Sequence, residues 1–313
     1  MTTAVMKIET QEVITNSARI EELSKEWLEF CDVQPTTFAT YQRSLKNFTK
    51  WLAENGVNEV NRDVVISYRD SLLTQLAPTT CRLYIACLKL FIKFLASKGM
   101  CPDFTAHFKG VTLNNETHYR DALSVDESRQ VFHAMDGTNE KSLRDKAIIG
   151  LMLATGLRCV EVTRLDVGDI ERRGNKMFLR VHGKARQGKQ DRVILPAQVA
   201  NLIQQYFEVR GNVDKNAPMF VSTSHRCKGQ RLHTQTISRM CKWALKSAGF
   251  NSPRLTAHSL RHSFATNAIN AGVEIRQVSK ALRHKSVVVT EIYLHDMDAM
   301  TNTATQSVAN LIF

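Results

Sequence analysis

Residues 143–161 read Leu143-Arg144-Asp145-Lys146-Ala147-Ile148-Ile149-Gly150-Leu151-Met152-Leu153-Ala154-Thr155-Gly156-Leu157-Arg158-Cys159-Val160-Glu161. Leu143, Ala147, Ile148, Leu151 and Met152 recur at the spacing of one helix face, which predicts a buried helix that stops at Thr155-Gly156. A glycine there takes the positive φ of a helix C-terminus and lets the next helix begin at once. Arg158 then stands at a helix start, where backbone N–H groups and the helix dipole favour an anion. Glu161 follows one turn later on the same face and can fix the guanidinium, although a surface Arg–Glu pair at that spacing contributes little by itself.

Beyond this turn, Met177, Leu179 and Val181 alternate with Phe178, Arg180 and His182, the period of a half-buried strand. Arg192 to Leu195 make a return strand closed by Pro196, and between the two lies a basic hairpin loop carrying Lys184, Arg186 and Lys189. Val199, Leu202, Ile203, Tyr206 and Phe207 mark one amphipathic helix; Ile237, Met240, Cys241, Ala244 and Leu245 mark another, with Thr234 as its cap and Gly249 as its stop. In Leu255-Thr256-Ala257-His258-Ser259-Leu260-Arg261-His262-Ser263-Phe264-Ala265-Thr266, His258 and Arg261 share a helix face at i,i+3 while Leu260, Phe264 and Ala268 turn inward. Ile275, Val278 and Leu282 mark a further helix, followed by the basic turn Leu282-Arg283-His284-Lys285-Ser286, where Ser286 can cap a short helix bearing Tyr293. Taken singly, such a histidine is more often structural and such a tyrosine more often a packing aromatic.

Upstream, Leu23, Trp27, Phe30 and Cys31 mark a helix with an acidic outer face. Thr36 or Thr37 is the expected N-cap of a second helix with Tyr41, Leu45, Phe48 and Leu52 inward, ended by Asn55-Gly56. A third helix is expected near 62–75, and after Ala77-Pro78-Thr79 a fourth buries Leu83, Cys87, Leu90, Phe91, Phe94 and Leu95. Arg43, Lys46, Lys50, Arg82, Lys89 and Lys93 fall on outward positions of this four-helix bundle, as a clamp on duplex backbone or as ordinary solvated faces. Residues 107–122 lack a sustained period and are read as the linker, with Ser124 and Glu127 as a capping box that opens the second domain.

At 313 residues the chain is long enough for two cores. Its 42 Lys and Arg against 30 Asp and Glu give a formal charge of +12, the balance expected of a protein with a polyanionic partner. The seven cysteines form no CxxC pair, and an odd number in a chain with no signal peptide points to a reducing cytoplasm. No apolar run approaches the ~18 residues needed to span a bilayer.

Four segments in order, Ala154-Thr155-Gly156-Leu157-Arg158-Cys159-Val160-Glu161, Gly183-Lys184, His258 to Thr266, and Leu282-Arg283-His284 followed by Tyr293, resemble the tyrosine recombinases, the phage integrase family, and among them the compact Xer-like members. The resemblance spans most of the chain. It implies a mainly α fold: an N-terminal four-helix SAM-like core-binding domain over 19–106, preceded by a flexible segment 1–18, and an α-rich catalytic domain over 123–295 with a small antiparallel β-sheet. A tail, 296–313, would dock in trans on a neighbouring subunit, with Val308, Leu311 and Ile312 on one helical face.

The resemblance also implies roles. Arg158 and Arg261 would hold the non-bridging phosphate oxygens, His258 and His284 would bond the phosphate or manage the tyrosine proton, Lys184 would protonate the leaving 5′ oxygen, and Tyr293 would form a 3′-phosphotyrosyl link. Glu161 falls where a supporting acid often sits; Arg43, Lys46, Arg82, Lys89, Lys93, Arg186 and Lys189 would contact DNA. No metal or other cofactor is expected, because the covalent link preserves the bond energy and preorganised arginines stabilise the transition state. The expected partners are double-stranded DNA with inverted-repeat core sites, three further subunits (a homotetramer, or a heterotetramer with a paralogue) and accessory DNA-bending proteins, in a bacterial, nucleoid-associated cytoplasmic setting without a membrane. Integration, excision or resolution of a mobile element is the expected task, with Xer-type dimer resolution and topoisomerase IB-like relaxation as alternatives, and a regulator without catalysis as a further one. This chain departs from the family's pattern at Arg283, which stands where glycine usually precedes the second histidine, and at Cys159-Val160, which replaces a commoner small polar pair.

Overall fold

Proline starts two of the first four helices among the described residues. In the computed structural model, which describes residues 17–112, 121–182, 188, 191–211, 213–284, 286, 287, 290 and 312, the first unit holds α1 (Ser17–Phe30), α2 (Pro35–Glu54), α3 (Arg62–Gln75) and α4 (Pro78–Ser97). Pro35 and Pro78 occupy the first turn of α2 and α4, where a missing N–H leaves no helical bond unmade. The expected caps Thr36 and Thr37 are therefore already inside α2, whose N-cap is Gln34. Asn61 caps α3 by accepting from the backbone N–H groups of Asp63 and Val64.

Trp27, Phe48, Leu52, Tyr68, Ile85, Phe91 and Leu95 lie in the core of this unit. Three expected core residues do not: Phe30 is 75% exposed, and Leu83 and Leu90 are each 46% exposed. Helix α4 is apolar almost all round, so its sequence fits more than one inward stripe, and the face packed against α1 to α3 is the one bearing Cys81, Tyr84, Leu88 and Ile92. Phe104 and Phe108 join the same core and Val111 packs on it. Arg62 donates to the His107 carbonyl at 2.9 Å, Arg69 to that of Lys109 at 3.1 Å and Lys89 to that of Phe108 at 3.1 Å. The segment read as a linker from residue 107 thus begins as part of the first unit; residues 113–120 lie outside the described ones.

The second unit runs through α5 (Val125–His133), α6 (Glu140–Thr155), α7 (Cys159–Thr163), strands β1 (Ile170–Arg173), β2 (Lys176–Val181) and β3 (Asp191–Leu195), then α8 (Ala197–Arg210), α9 (Thr234–Ser247), α10 (Ala257–Asn270) and α11 (Ile275–Leu282). Ser124 and Glu127 form the expected capping box, whereas the N-cap of α9 is His233 rather than Thr234. The sheet is antiparallel in the order β1-β2-β3, with Ile170 opposite Leu179 and Met177 opposite Leu195. Strand β1 adds to the expected hairpin; Ile170-Glu171-Arg172-Arg173 has no alternation, and pairing with β2 and the contacts of Glu171 with Arg180 (3.2 Å) and Arg192 (3.4 Å) hold it.

Ala147, Ile148, Leu151 and Met152 place α6 in the core with Ile203 and Tyr206 of α8 and Leu260 of α10, and Cys241 of α9 brings its Sγ within 3.8 Å of Met152 Sδ. Fully burying one such large side chain contributes about 1.5–3 kcal/mol over leaving it exposed. This packing of α6 fixes where its C-terminal turn emerges. No helix among the described residues is long and apolar enough to cross a membrane.

Candidate active site

Three helix ends meet where α6 stops: its own, the start of α7 and the end of α11. Gly156 adopts φ 61, ψ 24 at the C-cap of α6, and a Cβ there would lie 2.7 Å from both Leu282 Cδ2 and Phe264 Cδ1. Glycine is required twice over, for the left-handed turn and for the close approach of α10 and α11. The next residues lead at once into α7, with Arg158 as its N-cap residue.

The carboxylate of Glu161 sits 0% exposed at the middle of the cluster. Its Oε2 accepts from the Arg158 backbone N–H at 2.8 Å, and its Oε1 from Arg158 Nη1 at 2.9 Å. Arg283 approaches the same two oxygens, with Nη2 2.8 Å from Oε2 and Nε 3.3 Å from Oε1. Burial by itself would raise the Glu161 pKa, but the positive charge and hydrogen bonds of Arg283, with those of Arg158, hold it below the ordinary carboxylate range. Left without these partners, a carboxylate so buried would be strongly destabilising.

Arg261 is held differently. Its Nη1 donates to the Gly156 carbonyl at 2.6 Å, its Nη2 donates to the Leu282 carbonyl, and Glu161 Oε2 lies 4.0 Å away. Two helix C-termini, rich in carbonyls that need donors, thus orient one guanidinium. Arg158, with its side chain 22% exposed, is the more open of the two.

His284 follows α11 directly, with its N–H on the Ser279 carbonyl and its Nδ1 2.8 Å from Thr290 Oγ1. Burial, then the positive charges of Arg261, Arg158 and Arg283, push its pKa down to about 4, with Glu161 pulling the other way. The imidazole is therefore neutral at neutral pH and able to take a proton or accept a hydrogen bond. His258 stands exposed on the first turn of α10, three residues before Arg261.

Of the expected catalytic set, Arg158, Glu161, Arg261 and His284 are brought together, and His258 shares a helix with Arg261. Lys184, Arg186, Lys189 and Tyr293 lie outside the described residues, as do residues 296–313 apart from Ile312. In the first unit Arg43, Lys46, Lys50, Arg82 and Lys93 are exposed. Lys89 is half-buried and turned to its own chain, 4.5 Å above the Phe108 ring, so its geometry does not favour a DNA contact.

Sequence reading did not single out Thr290, which orients His284, or Ser263, whose hydroxyl accepts the Leu123 N–H at 2.8 Å and anchors the entry to the second unit. Small hydroxyl residues carry no spacing signal of their own. The turn at Arg283 was conspicuous in sequence; its partner was not. Among the described residues no group of His, Cys, Asp and Glu could hold a metal ion.

Residues 121–300 match the model of the phage integrase family, and residues 25–99 match that of the phage integrase N-terminal SAM-like domain. The chain is similar to tyrosine recombinase XerC of Pelobacter propionicus, at 28% identity over 270 residues that span 84% of this chain and 86% of that protein. Its fold is similar to that of the XerH site-specific recombinase bound to palindromic difH substrate in a post-cleavage complex, with a TM-score of 0.75, 18% identity, and 94% of this chain and 85% of that one covered. A lambda integrase tetramer bound to a Holliday junction gives a TM-score of 0.65 at 14% identity, covering 90% and 80%.

Proposed function

The chain belongs to the phage integrase family and is a tyrosine recombinase, and from that premise we propose how its residues cut and rejoin duplex DNA at specific sites. The observation that carries the reading is the pair of guanidiniums, Arg158 and Arg261, fixed around one buried carboxylate in the cluster that also holds the His284 imidazole. Such a pair suits two non-bridging oxygens of one phosphodiester, and its charge needs no rearrangement as the transition state gathers negative charge.

In the proposed step the Tyr293 oxygen attacks phosphorus. The P–O bond to the 5′ oxygen breaks as the 3′-phosphotyrosyl bond forms. The tyrosine proton passes to His258 or His284, and Lys184 protonates the departing 5′ oxygen. Attack by a 5′ hydroxyl from a second strand reverses the sequence and releases the tyrosine. Bond energy is conserved, so neither ATP nor a divalent ion is called for. Two such exchanges pass through a Holliday junction, the DNA on which the lambda integrase tetramer is seen. As partners we assign this chain double-stranded DNA with inverted-repeat core sites and three further subunits, linked in trans by residues 296–313.

The proposed task is integration, excision or resolution of a mobile element. Similarity to XerC over 84% of the chain favours a second reading, Xer-type resolution of chromosome or plasmid dimers. Either reading needs the nucleophile. Tyr293→Phe should bind cognate DNA with unchanged affinity yet leave no denaturant-stable adduct on a nicked suicide substrate, where the wild type accumulates one. An adduct in the variant would remove Tyr293 from the role, and relaxed plasmid without site dependence would turn the reading towards a topoisomerase.

A further inference from the structure

Among the described residues Arg283 is the one non-glycine residue with a positive φ, at φ 56, ψ 42 on the C-cap of α11. A left-handed C-cap favours glycine, and a side chain there adds strain. This arginine also has its charged group away from water, with the side chain 6% exposed. Its fork grips both oxygens of Glu161, 122 residues earlier in the chain, and its Nη1 donates to the Ala281 carbonyl. A strained backbone and a buried cation at one residue, joined to the carboxylate that orients Arg158, call for a reason beyond closing a turn.

We propose that Arg283 is a positioning residue of the phosphate site, taking up the charge of Glu161 so that Arg158 and Arg261 keep theirs for the scissile phosphate, and tying the turn that carries His284 to α7. Three guanidiniums surround one carboxylate. With Arg283 absent, Glu161 would be balanced mainly by Arg158, the more open of the two phosphate-binding arginines, and would draw its charge away from substrate. With Arg283 present, the balancing charge sits on a side chain too buried to meet the DNA. The same cation is one of the three that hold His284 neutral. The groups facing that imidazole are Arg158 and Glu161 of α7, Arg261 of α10, Arg283 itself and the Thr290 hydroxyl.

This inference rests on the reading of the cluster as a phosphate site, and the test separates the two. Full-length wild type, R283G and R283K are compared in three measurements: the imidazole titration of His284 by NMR without DNA, the affinity for cognate duplex, and the pH profile of the single-turnover rate of adduct formation on a nicked suicide substrate. R283G removes the charge and relieves the strain. It should titrate His284 at a higher pH than wild type, form adduct on the order of 10–100-fold more slowly, as when a residue that orients a ligating group is lost, and lose rate on the acid side at a higher pH. DNA affinity should change less than about threefold, because bulk phosphate contacts elsewhere are untouched.

R283K keeps the charge and loses the fork. It should leave the His284 titration near wild type and recover only part of the rate. Wild-type rate and titration in R283G would overturn the proposal. Should R283G fail to fold, R283K decides: a slowed rate at unshifted pH supports positioning, and a wild-type rate overturns it. If wild type itself forms no adduct, the phosphate-site reading fails, while the His284 titration still reports whether Arg283 sets the charge of that turn.

Discussion

Arg82 and Lys93 stand exposed three turns apart on α4, whereas Arg261 of α10 is buried with its guanidinium on the carbonyls of Gly156 and Leu282. Both regions carry positive charge, but they use it differently. An exposed lysine or arginine offers a movable charge that a DNA backbone can meet in many geometries. The cluster around Glu161 offers charge fixed by partners contributed from α6, α7, α10 and α11. Recognition of a polyanion tolerates the first arrangement, and stabilisation of a pentacoordinate phosphorus requires the second, since reorganisation at the moment of reaction would forfeit most of the gain.

The contrast can be broken most directly at Arg261. Arg261→Lys keeps the charge but cannot hold two carbonyls and a phosphate with one ammonium. Adduct formation should fall by about 10²–10³-fold, the loss seen when one preorganised donor is removed, and thermal unfolding should reveal a stability loss of roughly 1–3 kcal/mol for a buried carbonyl left without a donor. Arg82→Lys, the same exchange on an exposed face, should change neither quantity measurably. Equal effects at the two sites would mean that placement on α10 confers nothing.

Acid acts on the fixed cluster through His284. The His284 pKa lies near 4, below the ordinary histidine value of about 6.5. Between these values the unfolded chain holds a proton that the folded chain refuses, so His284 contributes stability that is complete above about pH 6.5 and fades as pH falls towards 4. His284→Asn should flatten the decline in stability across that window in chemical denaturation. A decline of unchanged steepness would assign the acid sensitivity to other groups.

The turn at the centre of this site was readable in sequence because a strong amphipathic helix, a glycine and an arginine follow one another within a few residues. Arg158 was read at the helix start after that glycine, Glu161 one turn on from it, and Arg261 at i,i+3 from His258, while their roles came from the resemblance to the family. What escaped was set by tertiary partners. Strand β1 exists because β2 offers it an edge, not because Ile170-Glu171-Arg172-Arg173 alternates. Leu83 and Leu90 were placed inside because α4 is apolar on nearly every side, and the choice of inward face belonged to the helices packed on it. Arg283 was visible as an odd residue at a turn, yet its partner lies 122 residues away and no local pattern links them. Thr290 was invisible for the same reason, since its meaning comes only from the His284 ring beside it.

The smallest expected effect divides the first unit within itself. Lys89 lies on α4 between Arg82 and Lys93, and sequence alone gives all three the same outward reading. Its ammonium donates to the Phe108 carbonyl and lies over the Phe108 ring, which holds the chain after α4 on the bundle. Replacing Arg82 or Lys93 with alanine should weaken binding of every DNA sequence about equally and lower the slope of log affinity against log salt by about one unit. Lys89→Ala should leave that slope alone and instead lower the stability of the first unit by roughly 2 kcal/mol, the worth of a part-buried hydrogen bond from a charged donor with a cation–π contact beside it. The pairing of slope and stability makes the test decisive in both directions. A slope reduced by Lys89→Ala at unchanged stability would return this lysine to the DNA-facing set, and an unchanged slope in Arg82→Ala or Lys93→Ala would leave those side chains as solvated surface.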